Sequence, residues 1–171
     1  MVLNKADGFS LLEILVVLCI VVIISALAVP SFVEWRQANA IKSALKHTAD
    51  IAKYARTLSI SERKPVTLVI DASANHCISI TSASDCDCSA ASSCHVFSQQ
   101  KRLVMQNYHA VIASPANKKS LLTFDGTHGM SFGSAMTVSI TNARYTGKVI
   151  INNLGRVRYC TSTALEGIPL C

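Results

Sequence analysis

Between Phe9 and Val29 the chain carries 21 residues with a single charged side chain, Glu13. As a helix this block rises about 31 Å, the hydrocarbon thickness of a bilayer. A segment of that kind is expected in a membrane and constrains the rest of the chain to hang from it. A secretory signal peptide is the competing reading, because Ala26-Leu27-Ala28 has the small-x-small form of a cleavage site. Two features weigh against it. The apolar run is longer than a signal h-region, and a carboxylate lies near its start, where insertion costs about 2.5 to 3.5 kcal/mol. The remainder of a 171-residue chain suits one folded domain. With only 4 Pro and 7 Gly, it is neither disordered nor fibrous in composition.

An acid inside an apolar segment needs a partner, and the neighbouring residues suggest one. Gly8-Phe9-Ser10-Leu11-Leu12-Glu13 follows a short polar leader, Met1 to Asp7. This arrangement closely resembles the processing motif of type IV prepilins. The resemblance implies that a prepilin peptidase cuts after Gly8 and that the new amine on Phe9 is methylated. It divides the start of the chain into a leader, 1–8, and a membrane and assembly helix, 9–30. The chemistry is coherent: glycine fits a tight peptidase site, and a free cationic amine on one subunit can neutralise Glu13 of a neighbour. Assembly then relieves an unpaired buried charge. The plain alternative is an ordinary membrane anchor with an accidental glutamate.

Pro30 follows the apolar run and is expected to kink a helix that continues beyond it. From Ser31 to Ser61 the apolar positions Ala38, Ile41, Leu45, Ala52, Ala55 and Leu58 recur near every three, four or seven residues. That is an amphipathic stripe, and it predicts a second helical half over 31–62 with its apolar side on a sheet. Proline at 65 disfavours helix at the residue before it, which sets the stop near Glu62-Arg63-Lys64. Beyond Pro65 the pattern changes to alternation and short apolar runs. Strands are predicted at Pro65 to Asp71, Cys77 to Thr81, Leu103 to Tyr108, Ala110 to Ala113, Leu121 to Phe124, Met136 to Asn142, Lys148 to Asn152 and Arg156 to Cys160. The expected fold class is α+β: a long N-terminal helix packed on an antiparallel β-sheet domain over 63–171. Pilins and pseudopilins share this layout. The stretch Thr81 to Ser93, rich in Ser, Ala and Cys, reads as an exposed loop.

Seven cysteines are present. Cys19 lies in the anchor, which leaves Cys77, Cys86, Cys88, Cys94, Cys160 and Cys171 in a domain expected outside the cytoplasm. An even six in such a compartment predicts three disulfides. Pairing Cys160 with Cys171 would close a short C-terminal loop of the kind often seen in the pilin family, so the resemblance favours it. Connectivity among the other four stays open. A zinc site from Cys86, Cys88, Cys94 and His95 is the rival, with a spacing that matches no regular ligand pair.

No Gly-x-Ser-x-Gly elbow, His-Glu-x-x-His helix or glycine-rich phosphate loop occurs. The five histidines are scattered. No catalytic role, metal or cofactor is expected. Charge is the more informative property: Lys plus Arg number 16 against 10 Asp plus Glu, a formal +6. From Phe97 to Cys171 eight basic residues face only Asp125 and Glu166, so this stretch carries +6 by itself. Such a field points to an anionic partner, with nucleic acid, lipid headgroups and acidic polysaccharide all open on charge alone.

The sharpest local feature is Gly155-Arg156-Val157-Arg158-Tyr159. On a strand, Arg156 and Arg158 project from one face about 6.6 Å apart, roughly two phosphate steps of a DNA strand. Each planar guanidinium could then hold its own phosphate. Gly155 frees the backbone to turn, and Tyr159 faces away. Here the chain resembles the GspH/FimT family of minor pilins, and Gly-Arg-x-Arg near the C-terminus resembles the motif with which FimT proteins bind DNA during natural transformation. The resemblance implies Arg156 and Arg158 as DNA ligands with Gly155 shaping the turn. Lys118, Lys119, Arg144 and Lys148 are added on charge alone. With about four to six phosphates neutralised, a log–log salt slope near −4 to −5 is expected. The implied partners are the DNA backbone, other major and minor pilins, the prepilin peptidase and the inner membrane. The implied location is a single pass through the inner membrane, with a periplasmic domain later incorporated into a surface pilus. The alternative is a structural minor pilin or type II secretion pseudopilin that primes filament assembly and touches no DNA.

Overall fold

The computed structural model describes residues 10–73, 76–88, 90, 92–115 and 118–171. The chain divides into two compact units, Met1–Arg36 and Gln37–Cys171. Helix α1, Leu11–Glu62, runs from one into the other and passes through Pro30 rather than stopping there. At its start the Glu13 N–H donates to Ser10 Oγ at 3.2 Å, so Ser10 satisfies one of the amides that a first turn leaves open. In the first unit the large apolar side chains from Leu11 to Ile24 are exposed. By length and composition this part of α1 is sufficient to cross a membrane. Near the end of that unit Phe32 and Trp35 stack with ring centroids 5.8 Å apart.

In the second unit, Ile41, Leu45, Ala49, Ala52 and Ala55 of α1 are fully buried. Their three- and four-residue spacing is the stripe that the sequence predicts. They pack on eight strands: β1 Val66–Asp71, β2 Cys77–Thr81, β3 Arg102–Val104, β4 Val111–Ser114, β5 Lys119–Phe124, β6 Met136–Thr141, β7 Thr146–Ile151 and β8 Val157–Thr161. The strands form two four-stranded sheets, β3-β2-β1-β5 and β4-β6-β7-β8. Every pairing is antiparallel. The fold is therefore α+β, with the sheet surface shared between two sheets over one helix. The strand predicted at Leu103 to Tyr108 is shorter than expected. Its pairing ends at Val104, and Met105–Tyr108 winds into a 3₁₀ turn closed by His109 in the left-handed region. Met105 is fully buried there, which is why the run looks like strand in sequence.

Both sheets put one face on α1. From the first, Leu68, Ile70, Ile78, Ile80, Leu122 and Phe124 are buried, and from the second, Val138, Ile140, Val149 and Ile151. Burying a Leu, Ile or Phe completely contributes about 1.5 to 3 kcal/mol each. The helix comes so close to β7 that a Cβ at Gly147 would overlap the Leu45 side chain. Gly147 is thus the position that lets strand and helix touch.

Part of the outer face of the first sheet is covered by Thr81 to Ser93, the exposed loop that the sequence predicts: most of its described residues are exposed, whereas Thr81, Cys86 and Cys88 are buried. Val69 of β1 and Cys77 of β2 form a second buried cluster with Cys86, Cys88 and Cys94. Two crossed disulfides, Cys77–Cys88 and Cys86–Cys94, hold the segment down on the sheet. The Ser82 N–H donates to His95 O at 3.0 Å and Ser79 Oγ to Lys101 O at 2.8 Å, which stitches both ends of the cover. The small apolar patch left by Val69 explains the need: six consecutive strand residues cannot all face one core. The third disulfide joins Cys160 to Cys171. It brings the C-terminal tail alongside β8, where Leu170 bridges Thr161 in parallel and the Cys171 N–H donates to Thr161 O at 3.0 Å.

Candidate nucleic-acid interface

Strand β8 is an edge strand of the second sheet. Along it Val157 and Tyr159 pack against the core, and the Tyr159 ring lies 6.0 Å from Lys53 Nζ. Alternation then directs Arg156 and Arg158 away from the helix, and both are exposed. Among the described residues neither forms an ion pair. Register adds a third cation. Arg158 is paired with Ile150 and Cys160 with Lys148, so Lys148 and Arg158 are diagonal neighbours on the outer face. The two positions are then about 7 to 8 Å apart. Among the described residues this face carries no crossed pair of disulfides like that on the other sheet, and at its far end Cys160, 7% exposed, is bonded to Cys171.

The connection between β7 and β8 is built to hold that arrangement. The Gly155 N–H donates to Asn152 O at 2.9 Å, and the Asn152 N–H to Arg156 O at 3.2 Å. The Asn152 side chain accepts the Arg156 N–H at 2.8 Å, fixing the backbone from which that guanidinium springs. Gly155 has φ +72°, a value that non-glycine residues rarely adopt. A Cβ there would overlap the carbonyl oxygen of Gly129 and approach Arg56 Nε to 2.9 Å. Gly155 therefore serves close backbone contact as well as turning.

Gly129 belongs to the loop after β5, and that loop is laced to the turn. Arg56 Nε, from α1, donates to Gly129 O at 3.1 Å. The Ser131 N–H donates to Asn153 O at 3.0 Å and Ser131 Oγ to Asn152 O at 3.1 Å. The loop itself is organised by Asp125, whose carboxylate accepts the N–H groups of His128 at 2.8 Å, Thr127 at 2.9 Å and Met130 at 2.5 Å. The His128 N–H, more than any other group, holds the Asp125 carboxyl below the usual carboxylate range. Burial opposes it, and the Met130 and Thr127 amides and the nearby His128 ring add to it. Arg56 is the residue sequence reasoning missed. Nothing in the helical pattern signals a hydrogen bond to a carbonyl 73 positions away.

The other sequence-predicted residues are dispersed. Arg144 lies in the turn between β6 and β7, its N–H on Asn142 Oδ1 at 3.1 Å. That is the opposite end of β7 from Arg156, about 20 Å along a six-residue strand. Lys118 and Lys119 belong to the other sheet. Lys119 Nζ is 2.6 Å from Asp85 Oδ1 of the cysteine cover, an ion pair that occupies its charge. That same hydrogen bond is the main reason the Asp85 carboxyl sits low, with desolvation acting against it. Glu13 is in the first turn of α1. Gly8 and Phe9 lie outside the described residues. Cys86, Cys88 and Cys94 are consumed by disulfides, so the zinc arrangement with His95 has no thiolates to use. The face that remains holds Arg156, Arg158 and Lys148.

No family model matches the chain, and no curated protein matches it in sequence. Among solved structures it is similar to the type IV minor pilin FimU of Pseudomonas aeruginosa strain PAO1. The two share 16% identity and superpose with a TM-score of 0.53 over 76% of this chain and 95% of the other. With its long helix carrying antiparallel sheets, this chain has a pilin-like fold.

Proposed function

We propose that the protein is a minor pilin that captures extracellular DNA through its phosphate backbone, for uptake during natural transformation. The observation that carries this reading is the pair Arg156 and Arg158, exposed at the edge of the second sheet, without acidic partners among the described residues, and springing from a turn fixed by Gly155 and Asn152. The planar guanidinium fork loses less entropy per hydrogen bond to phosphate than a lysine ammonium does. Contacts of this kind read no bases, so binding is independent of sequence. Lys148 joins the pair, whereas Lys119 is engaged elsewhere and Arg144 is remote, so about three phosphates are neutralised and the log–log salt slope with duplex is near −3. This is shallower than charge counting along the sequence suggests.

In the same proposal the apolar part of α1 anchors the subunit in the inner membrane and then packs among other major and minor pilins. The prepilin peptidase removes residues 1–8, Phe9 becomes the methylated N-terminus, and Glu13 receives the amine of a neighbour. The domain from 63 onward faces the periplasm before joining a surface pilus. The fold likeness to a minor pilin also supports a second reading, a subunit that primes a pilus or a type II secretion filament without touching DNA. Anisotropy titration of labelled random duplex with the full chain in non-ionic detergent separates them. Arg156→Ala/Arg158→Ala is expected to lose most binding at low salt while keeping its folded spectrum. Unchanged affinity in that variant refutes the assignment to Arg156 and Arg158, and absence of binding by the wild type refutes the DNA reading and leaves the assembly role.

A further inference from the structure

The loops that hold the arginine turn also carry two exposed large apolar side chains. Phe132 is 70% exposed and Leu154 60%. The Ser131 N–H bond to Asn153 O, 3.0 Å, joins the residues immediately before each of them, so Phe132 and Leu154 flank one backbone contact. Leu154 lies two residues from Arg156, inside the turn that Asn152 closes. An exposed aromatic ring and an exposed aliphatic side chain thus lie on the loops that hold two guanidiniums without an ion pair among the described residues. Phosphate alone has no use for the apolar part, and a lipid-free protein core none for the charges. The two chemistries coincide in a strand of nucleic acid whose bases are unstacked: the backbone meets the cations while a base lies on the ring.

We propose that Phe132, with Leu154 beside it, is a stacking platform for unpaired bases, so that the site takes single strands, frayed ends or gaps in preference to intact duplex. The inference rests on the DNA reading above and specifies its substrate. In a blunt duplex the bases face one another and only the phosphates are offered, so the platform stays idle. Phe132 is 70% exposed, and a Cβ built on the next residue, Gly133, would meet nothing within 4 Å. A base can therefore approach the ring without displacing protein.

The test is anisotropy titration of the full chain in non-ionic detergent with a 12-nucleotide single strand and a blunt duplex of the same sequence at one salt concentration. The single strand is expected to bind about fivefold or more tightly, and Phe132→Ala to lose about fivefold or more for the single strand only, as one lost base stack does. Phe132→Trp is expected to retain the preference and to show fluorescence quenching on adding the single strand. Equal binding of the single strand by wild type and Phe132→Ala overturns the platform while leaving the phosphate grip standing. Failure of wild type to bind either form removes the DNA reading and the platform with it. Loss of pilin assembly in Phe132→Ala with DNA binding intact assigns the pair to a protein neighbour and likewise overturns the proposal.

Discussion

Replacing Gly155 by alanine tests whether the arginine turn is held by close contact or only by chain geometry. The residue has φ +72°, and an alanine forced to keep such a backbone costs about 1 to 2 kcal/mol. A Cβ at this position also overlaps Gly129 O, the acceptor of the 3.1 Å bond from Arg56 Nε. Relieving the overlap moves the Gly129 peptide away from a charged donor, at about 1.5 to 3 kcal/mol, taken toward the lower end because Arg56 is only half-buried. The total is about 2.5 to 4 kcal/mol. Gly133→Ala is the matched control: its φ is +75° but nothing lies within 4 Å of the new Cβ, so only the backbone cost remains. Urea denaturation of the Gln37–Cys171 unit, which contains the main core, should give a midpoint for Gly155→Ala about 1 M below that of Gly133→Ala for a slope near 2 kcal/mol/M. Identical midpoints would refute the contact argument and reduce Gly155 to an ordinary turn residue.

Three further outcomes follow from other parts of the fold. Asp125 has its carboxyl pKa depressed by the loop amides, so its contribution to stability is present above the unfolded value of about 3.9 and lost as pH falls through the lower folded value. The stability gap between wild type and Asp125→Asn should therefore narrow in denaturation curves below about pH 4, and a gap that widens there contradicts the assignment. Cys160→Ser/Cys171→Ser should lower stability by about 3 kcal/mol on the chain-entropy account of a short loop, measured by the same denaturation. Gly147→Ala should destabilise by about 1 to 3 kcal/mol by overpacking Leu45, and its cost should fall in a Leu45→Ala background; strict additivity would place the contact elsewhere.

Much of the architecture was legible because burial imposes a period on the chain. The stripe through Ile41, Leu45, Ala52 and Ala55 marks a helix face, and alternation marks β6 to β8 to within two residues at their ends. The division into two sheets was not legible, since it depends on which strands meet across long separations, such as β1 with β5. Met105 to Tyr108 deceived because a 3₁₀ turn anchored by one buried side chain, Met105, and a strand end can share the same apolar content. Of the candidate interface, Arg156 and Arg158 stand out in sequence as a spaced pair. Lys148 could be named but not joined to them, because its neighbourhood with Arg158 exists only through the β7–β8 register. Lys119 was overcounted for the converse reason: Asp85, which claims it, arrives from a loop. Arg56 and Phe132 acquire meaning only once Gly129 and Ser131 are seen against the turn at Asn152.

The tail clasped by Cys160–Cys171 has a consequence for how copies of this chain meet. An edge strand with open amides is a template on which any extended chain can add itself, including an identical neighbour. By laying Leu170 and Cys171 against Thr161, the molecule supplies its own last rung at that end of the ladder. Copies crowded side by side are thereby discouraged from zipping into one continuous sheet, and each globule keeps its separate identity.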